Sequence, residues 1–301
     1  MTAKRWEAAE AELVRVLVEQ GQNDAEIVAK LQSVNINRTY KAVQRLRQRR
    51  GWHAQVQPSG FELHKPLTFQ SNRILLWADS HAPFHDAPWM NRVIDLALRW
   101  DVEDCAIVGD LIDFSAISSY GREIGVEMGA EMRSAKQIVR TIARAFRRKL
   151  LIGGNHEKRL VRKLTDAVSL QEAVEMLADE ADGAITTNLK WFWLDSGGQA
   201  FRVVHPKNYS RVRTRVATQL AARYQSHIIA GHSHHWGQTR DDSGQFWAID
   251  MGCCVDPERV LWLQQDMSTT PKSLLGAVIV IDGTPILLGP KNIAFYEGLK
   301  L

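Results

Sequence analysis

The sequence predicts an α/β protein, a body with a mixed sheet system preceded by a small three-helix domain. Three observations predict it. Short apolar runs that stop at Asp, Gly or His recur from residue 74 onward, and amphipathic helical stretches separate the early ones. The later runs follow one another closely, as strands joined without helices do. The first fifty residues instead place apolar side chains at helical spacing, and a stretch containing Pro58, Ser59, Gly60 and Pro66 divides them from the rest. The expected organisation is therefore a helical module at 1–50, a linker at 51–72 and an α/β body at 73–301. A chain of 301 residues with 45% apolar and 24% charged residues is long enough for one large core beside a small one.

In the module, a first helix carries Ala9, Leu13, Val16 and Leu17 on one face. Gly21 can end it, and Asn23 or Asp24 can cap a second helix with Ile27, Val28 and Leu31 inward. After a turn at 32–37, a third helix points Tyr40, Val43 and Leu46 inward. Its outer face carries Arg38, Lys41, Arg45 and Arg49, spaced three or four apart and so along one stripe. In the body, strands are expected at 74–78, 105–108, 150–152, 201–204, 227–230, 246–251, 275–281 and 286–288.

Charge is unevenly placed. Residues 1–60 hold ten Lys/Arg against six Asp/Glu, which accounts for the whole formal net charge of +4. Residues 133–163 hold eleven basic residues and one acid, Glu157. Such local basic stretches point to a polyanionic partner. The stripe Lys136, Arg140, Arg144 and Arg148 is read as the solvated face of a sheet-covering helix. Lys158, Arg159, Arg162 and Lys163 lie nearer the chemistry. No apolar run approaches the length of a membrane span. Residues 1–13 have no secretory-signal pattern. Three cysteines, Cys105, Cys253 and Cys254, are no disulfide framework, so a cytoplasmic setting is expected.

Five apolar runs stop at polar residues of the metal-binding type. They lead into Asp79-Ser80-His81, Gly109-Asp110-Leu111-Ile112-Asp113, Gly154-Asn155-His156-Glu157, His205, and Gly231-His232-Ser233-His234-His235. Ligands at strand ends can converge on one edge of a sheet. Asp, Asn and His supply oxygen and nitrogen donors that suit Mn²⁺, Fe or Zn²⁺ better than a thiolate site would. Asp110 is placed to bridge two cations ~3.5–4 Å apart, a spacing that clamps both oxygens of an in-line phosphoryl displacement. Singly, each motif has a plainer reading: Asp79 and Asp110 as helix caps, Gly-Asn as a turn, His205 as a core residue. Together and in this order, they favour a metal site.

This ordered set, D-x-H, G-D-x-x-D, G-N-H-E, a strand-end His and G-H-x-H, resembles the calcineurin-like metallophosphoesterase superfamily over about residues 73–290. The resemblance implies a β-sandwich of two mixed sheets flanked by helices, with a dimetal site at its edge. It implies one metal held by Asp79, His81, Asp110 and His234, and a second held by Asp110, Asn155, His205 and His232. It makes His156 the catalytic imidazole and Asp113 a residue that orients a ligand histidine. Where the family often carries Gly after the strand-end histidine, this chain has Pro206. The first fifty residues, with Arg38 to Arg50 as recognition helix, resemble a helix-turn-helix or homeodomain-like module, which implies a DNA partner.

The expected protein is thus a phosphoesterase with two divalent ions per chain. Mn²⁺ is favoured over Zn²⁺ or Fe, because oxygen donors dilute the histidines. It would act as a phosphodiesterase or nuclease on DNA, with no membrane partner. The alternatives are a phosphoesterase acting on a small phosphorylated metabolite or nucleotide, and a non-catalytic DNA-binding regulator on the same scaffold.

Overall fold

The computed structural model describes residues 6–20, 22–52, 65–118, 126–179, 181–260, 263–264 and 272–299. The chain divides into two compact units, Met1–Leu63 and His64–Leu301. Gly21 and most of the expected linker, 53–64, lie outside the described residues.

The first unit contains α1 (Ala8–Glu19), α2 (Asp24–Ser33) and α3 (Tyr40–Arg50). Val14, Leu17, Val18, Ile27, Leu31, Val43 and Leu46 form its buried core. The buried face of α1 is therefore turned from the expected one, since Ala9 is exposed and Val14 is buried. Asn23 caps α2 by accepting from the Ala25 and Glu26 amides at 2.9 and 3.0 Å, and Glu26 returns a bond to the Asn23 amide. Gly51 ends α3 in the left-handed region at φ 65°.

Two expectations for the third helix are corrected. Tyr40 is exposed rather than inward. Arg38 precedes the helix and does not belong to its outer stripe: it is 6% exposed, ion-paired with the buried Glu10, and stacked on Trp6 at 4.4 Å. A buried guanidinium needs a carboxylate, and Glu10 supplies it from α1. Lys41, Arg45 and Arg49 remain exposed along α3. Arg38→Ala should therefore unfold the module, at a cost of about 3–5 kcal/mol from the stranded Glu10 charge, read as a lower melting transition of the isolated unit.

The second unit runs β1 (Thr68–Gln70), β2 (Arg73–Trp77), α4 (Ala87–Arg99), β3 (Asp104–Val108), α5 (Met128–Ala145), β4 (Arg148–Ile152), α6 (Glu157–Lys163) and α7 (Leu170–Ala178). It continues with β5 (Ile185–Thr187), β6 (Trp191–Ser196), β7 (Gln199–Val204), α8 (Arg215–Tyr224), β8 (His227–Ala230), β9 (Trp236–Arg240), β10 (Trp247–Met251), β11 (Ala277–Ile281), β12 (Thr284–Leu288) and α9 (Ile293–Glu297). The strands form two mixed sheets of six, ordered β1-β6-β7-β8-β10-β9 and β12-β11-β2-β3-β4-β5. In the second, β2, β3, β4 and β5 are parallel; in the first, β7, β8 and β10 are.

The alternation along β2 explains the layers. Ile74, Leu76 and Ala78 face the core between the sheets, against Phe192, Leu194, Phe201, Val203 and Ile249. Leu75 and Trp77 face the other way, onto α4 and α5. The outer face of the first sheet is covered by α8 through Ala217 and Ala221. Both faces of the central strands are thus buried, which is why their sequences read as continuous apolar runs. Each aliphatic side chain so buried contributes about 1.5–3 kcal/mol.

Thr68–Gln70, inside the expected linker, is an edge strand paired with β6. Arg148 is not on α5 but opens β4, where it pairs with Asp104 at 2.5 Å. Cys105, Cys253 and Cys254 are buried free thiols. No described helix is long and apolar enough to cross a membrane.

Candidate metal centre

Every expected ligand lies just beyond the carboxyl end of a strand. Asp79 and His81 follow β2, Asp110 follows β3 and Asn155 follows β4. His205 follows β7, and His232 and His234 follow β8. Since β2, β3 and β4 run parallel in one sheet and β7 and β8 in the other, these ends meet at one edge of the sandwich.

The backbone there is bent against the preference of its side chains. Asp79, His81, Asp110, His232 and His234 all sit in the left-handed region, at φ 57°, 45°, 51°, 75° and 55°. Such conformations cost of order 1–3 kcal/mol each and persist where a site demands them. The motif glycines make room for close approach. A Cβ on Gly154 would lie 2.1 Å from Asp110 Oδ1, and one on Gly109 would lie 2.5 Å from His205 Nδ1. Gly154→Ala should therefore displace Asp110 and abolish tight divalent-ion binding, measurable by titration calorimetry.

Among the described residues two donor sets result: Asp79, His81 and His234, all buried, and Asp110, His205 and His232, of which His232 is half-buried. In the first, His81 Nε2 and His234 Nε2 are 3.0 Å apart, and Asp79 Oδ1 lies 3.8 and 3.5 Å from them. Asp79 Oδ1 is buried without a hydrogen-bond partner, while Oδ2 accepts from the His232 amide at 2.8 Å. In the second, His205 Nδ1 meets the Val108 carbonyl at 2.8 Å and so carries a proton. Its Nε2 then faces two more acceptors, Asn155 Oδ1 at 3.0 Å and Asp110 Oδ2 at 3.3 Å. Acceptors converging on one point call for a cation between them, so these residues could hold metal. Asp110 Oδ2 also lies 4.0 Å from His81 Nε2, which brings it to both sets.

The electrostatics agree. Burial pushes the Asp110 carboxyl up, but the imidazoles of His205, His156 and His81 outweigh it and hold it well below the usual carboxylate range. Burial pulls His205 down, but Asp110 and Asp79 raise it to about 9. In the metal-free protein a second proton on His205 thus supplies the missing positive charge. Burial and the neighbouring His205 push His232 down to about 4.

His156 and Asp113 lie beside these sets. Asp113 Oδ1 is 3.0 Å from His81 Nδ1 and 3.1 Å from His156 Nδ1, so one carboxylate orients both rings. His156 Nδ1 also meets the Asp113 carbonyl at 2.7 Å, and Arg159 Nη2 reaches His156 Nε2 at 3.1 Å. His81, Asp113 and His156 form a third cluster, but Asp113 engages the far nitrogens of both rings, as a hydrogen-bond acceptor does.

Two residues here were not assigned roles from the sequence. The buried carboxylate of Glu157 accepts from the amides of Asp110 at 3.0 Å, Leu111 at 2.8 Å and Gly154 at 2.7 Å, and so ties the β3 loop to the β4 loop. Its signal was available, because it is the lone acid in a run of eleven cations. Arg159 faces His156, while its neighbours Lys158, Arg162 and Lys163 are exposed.

No protein-family model matches the chain, and a search of curated proteins finds no match. Among solved structures, the chain is similar to Vacuolar Protein Sorting 29 from Cryptosporidium parvum. The identity is 12% and the TM-score 0.35, with 72% of this chain and 95% of that chain covered. It is also similar to a Vps29 single mutant from Entamoeba histolytica, at 14% identity and a TM-score of 0.34, over 72% of this chain and 97% of that one.

Proposed function

We propose that the body is a metal-dependent phosphoesterase of the calcineurin-like kind. The observation that carries this reading is the pair of neighbouring donor sets, with Asp110 Oδ2 of one set 4.0 Å from His81 Nε2 of the other and an oriented imidazole beside them. Asp79, His81, Asp110 and His234 would hold one divalent ion, and Asp110, Asn155, His205 and His232 the other. When bound, such a pair polarises phosphoryl oxygens and makes water acidic enough to attack near neutral pH. The chain's own residues do the rest. Asp113 keeps a proton on His156 Nδ1; burial opposes a second, but Asp110 and Asp113 outweigh it and raise the imidazole, while Arg159 works against them. A substrate phosphate that draws Arg159 away leaves His156 Nε2 able to carry a proton to the leaving oxygen. The test is hydrolysis of bis(p-nitrophenyl) phosphate and p-nitrophenyl phosphate with Mn²⁺, Zn²⁺ or Fe²⁺. Turnover dependent on one of these ions is expected, and Mn²⁺ is favoured because the oxygens of Asp79, Asp110 and Asn155 dilute the histidine nitrogens. No turnover of either ester with any ion overturns the reading.

For the substrate we favour a nucleic acid, with DNA first, because α3 presents Lys41, Arg45 and Arg49 to solvent in one four-residue step after another. Arg45→Ala with Arg49→Ala should lower the slope of log affinity against log salt by about 2, since each lost phosphate contact removes about 0.9. An unchanged slope would leave α3 as ordinary solvated surface.

A further inference from the structure

A cavity of about 360 Å³ adjoins the metal centre. Leu274 and Leu275 give it an apolar floor, and Trp236 gives it an aromatic wall. Arg213, Lys272 and Lys291 surround it, and among the described residues no carboxylate lines it. Its wall is continuous with the first donor set. Ser273, also in the lining, places Oγ 3.3 Å from His234 Nδ1, and the Leu274 amide donates to the His234 carbonyl at 2.9 Å. The cavity is preformed, because the Trp236 indole is held by a 2.8 Å bond from Nε1 to the Leu288 carbonyl and packs on Gly289.

These features select a ligand class. An apolar floor and an aromatic wall favour a flat organic ring over a sugar or a peptide backbone. Three cations with no acid beside them among the described residues favour a ligand that carries phosphate. The volume suits one such unit rather than an extended chain. We infer that this cavity is a nucleoside-phosphate subsite, which seats one base of the substrate while its phosphate lies toward His234. The inference deepens the phosphoesterase reading and rests on it for the direction of the phosphate, but binding at the cavity needs no turnover.

The experiment is calorimetric titration of the full chain with thymidine 5′-monophosphate, first with chelator and then with Mn²⁺. Probes for comparison are inorganic phosphate, phosphotyrosine and a 5′-phosphorylated oligothymidylate of eight residues. Metal-free protein should bind the nucleotide at least tenfold more tightly than phosphate or phosphotyrosine. Lys272→Ala with Lys291→Ala should weaken nucleotide binding about tenfold or more, at an unchanged melting temperature. Leu274→Trp, which fills the cavity, should do the same. Competition by the oligonucleotide would place a strand end in the cavity, and its failure to compete would leave free nucleotides as the occupant. Equal affinity for phosphate and nucleotide, a preference for phosphotyrosine, or nucleotide affinity unmoved by both variants would overturn the inference. Nucleotide binding lost in these variants without turnover of any ester would retire the phosphoesterase reading alone. Hydrolysis of the chromogenic esters with no cavity-dependent binding would retire the subsite alone.

Discussion

Asp110→Asn should lower metal content to one ion or fewer per chain and reduce phosphodiester turnover by at least about 10²–10³-fold, the scale of one lost electrostatic stabiliser in a buried site. The variant keeps the shape of the residue. One side-chain oxygen can still accept from the His156 amide, as Asp110 Oδ1 does at 2.8 Å. The amide nitrogen would take the place of Oδ2, 3.3 Å from His205 Nε2, and would donate to the lone pair a cation needs. The charge reaching both donor sets disappears with it.

The same variant carries a signature in pH. Asp110 is the chief cause that raises His205 to about 9. Below that value the metal-free protein holds a second proton on His205, and a metal ion must displace it. Wild-type affinity at this site should therefore rise about tenfold per pH unit from 7 towards 9 and then level off, with release of close to one proton from His205 at pH 7. In Asp110→Asn this group falls back towards its ordinary range, so its proton release at pH 7 should largely vanish. Calorimetry in buffers of different ionisation enthalpy reads the proton count directly. Equal proton release in both proteins would place the raised imidazole elsewhere.

Why so much of this edge was legible follows from strand burial. The central strands β2, β3, β4 and β8 are covered on both faces, so beyond their first one or two residues they are apolar, and the polar residue that ends each run marks where the sheet meets the site. Short edge strands carry no such signal. Thr68–Gln70 and Ile185–Thr187 have three residues each, and β9 is largely exposed, so propensity has little to act on. β6 is different: Phe192, Leu194 and Ser196 are buried in strict alternation, a period-two pattern obscured by the tryptophans on its other face. Arg38 shows the limit of stripe reasoning. Its spacing matches Lys41, Arg45 and Arg49, yet its partner Glu10 is 28 positions away, and no local window contains both. Glu157 stands out in the sequence as a lone acid among cations, but its role does not: besides the Gly154 amide of its own loop, it binds the Asp110 and Leu111 amides of another, and amides have no sequence signature.

His156→Ala should leave metal content at the wild-type level while lowering turnover by ~10²–10⁴-fold, the range for a general acid. The prediction separates two roles that the geometry places close together. His156 Nε2 is 3.8 Å from Asp110 Oδ2, near enough to be counted with the ligands. But its Nδ1 is turned to Asp113, and its Nε2 meets the Arg159 guanidinium, an arrangement in which a cation already occupies the ring's free side. His81 shares the same Asp113 oxygen yet turns Nε2 to His234 and Asp79, as a ligand would. One carboxylate thus orients two imidazoles, one towards the proposed ions and the other towards the proposed leaving group. If His156 were a ligand, its loss would lower metal occupancy along with turnover. If it only packed the edge, turnover would hold. Arg159→Ala refines the test, because removing the guanidinium frees His156 Nε2 before substrate arrives. The Michaelis constant should rise as a phosphate contact is lost, while the pH at which His156 gains its second proton should move up, since Arg159 opposes that charge. A rise in the Michaelis constant without that movement would make Arg159 a substrate contact with no hold on the imidazole.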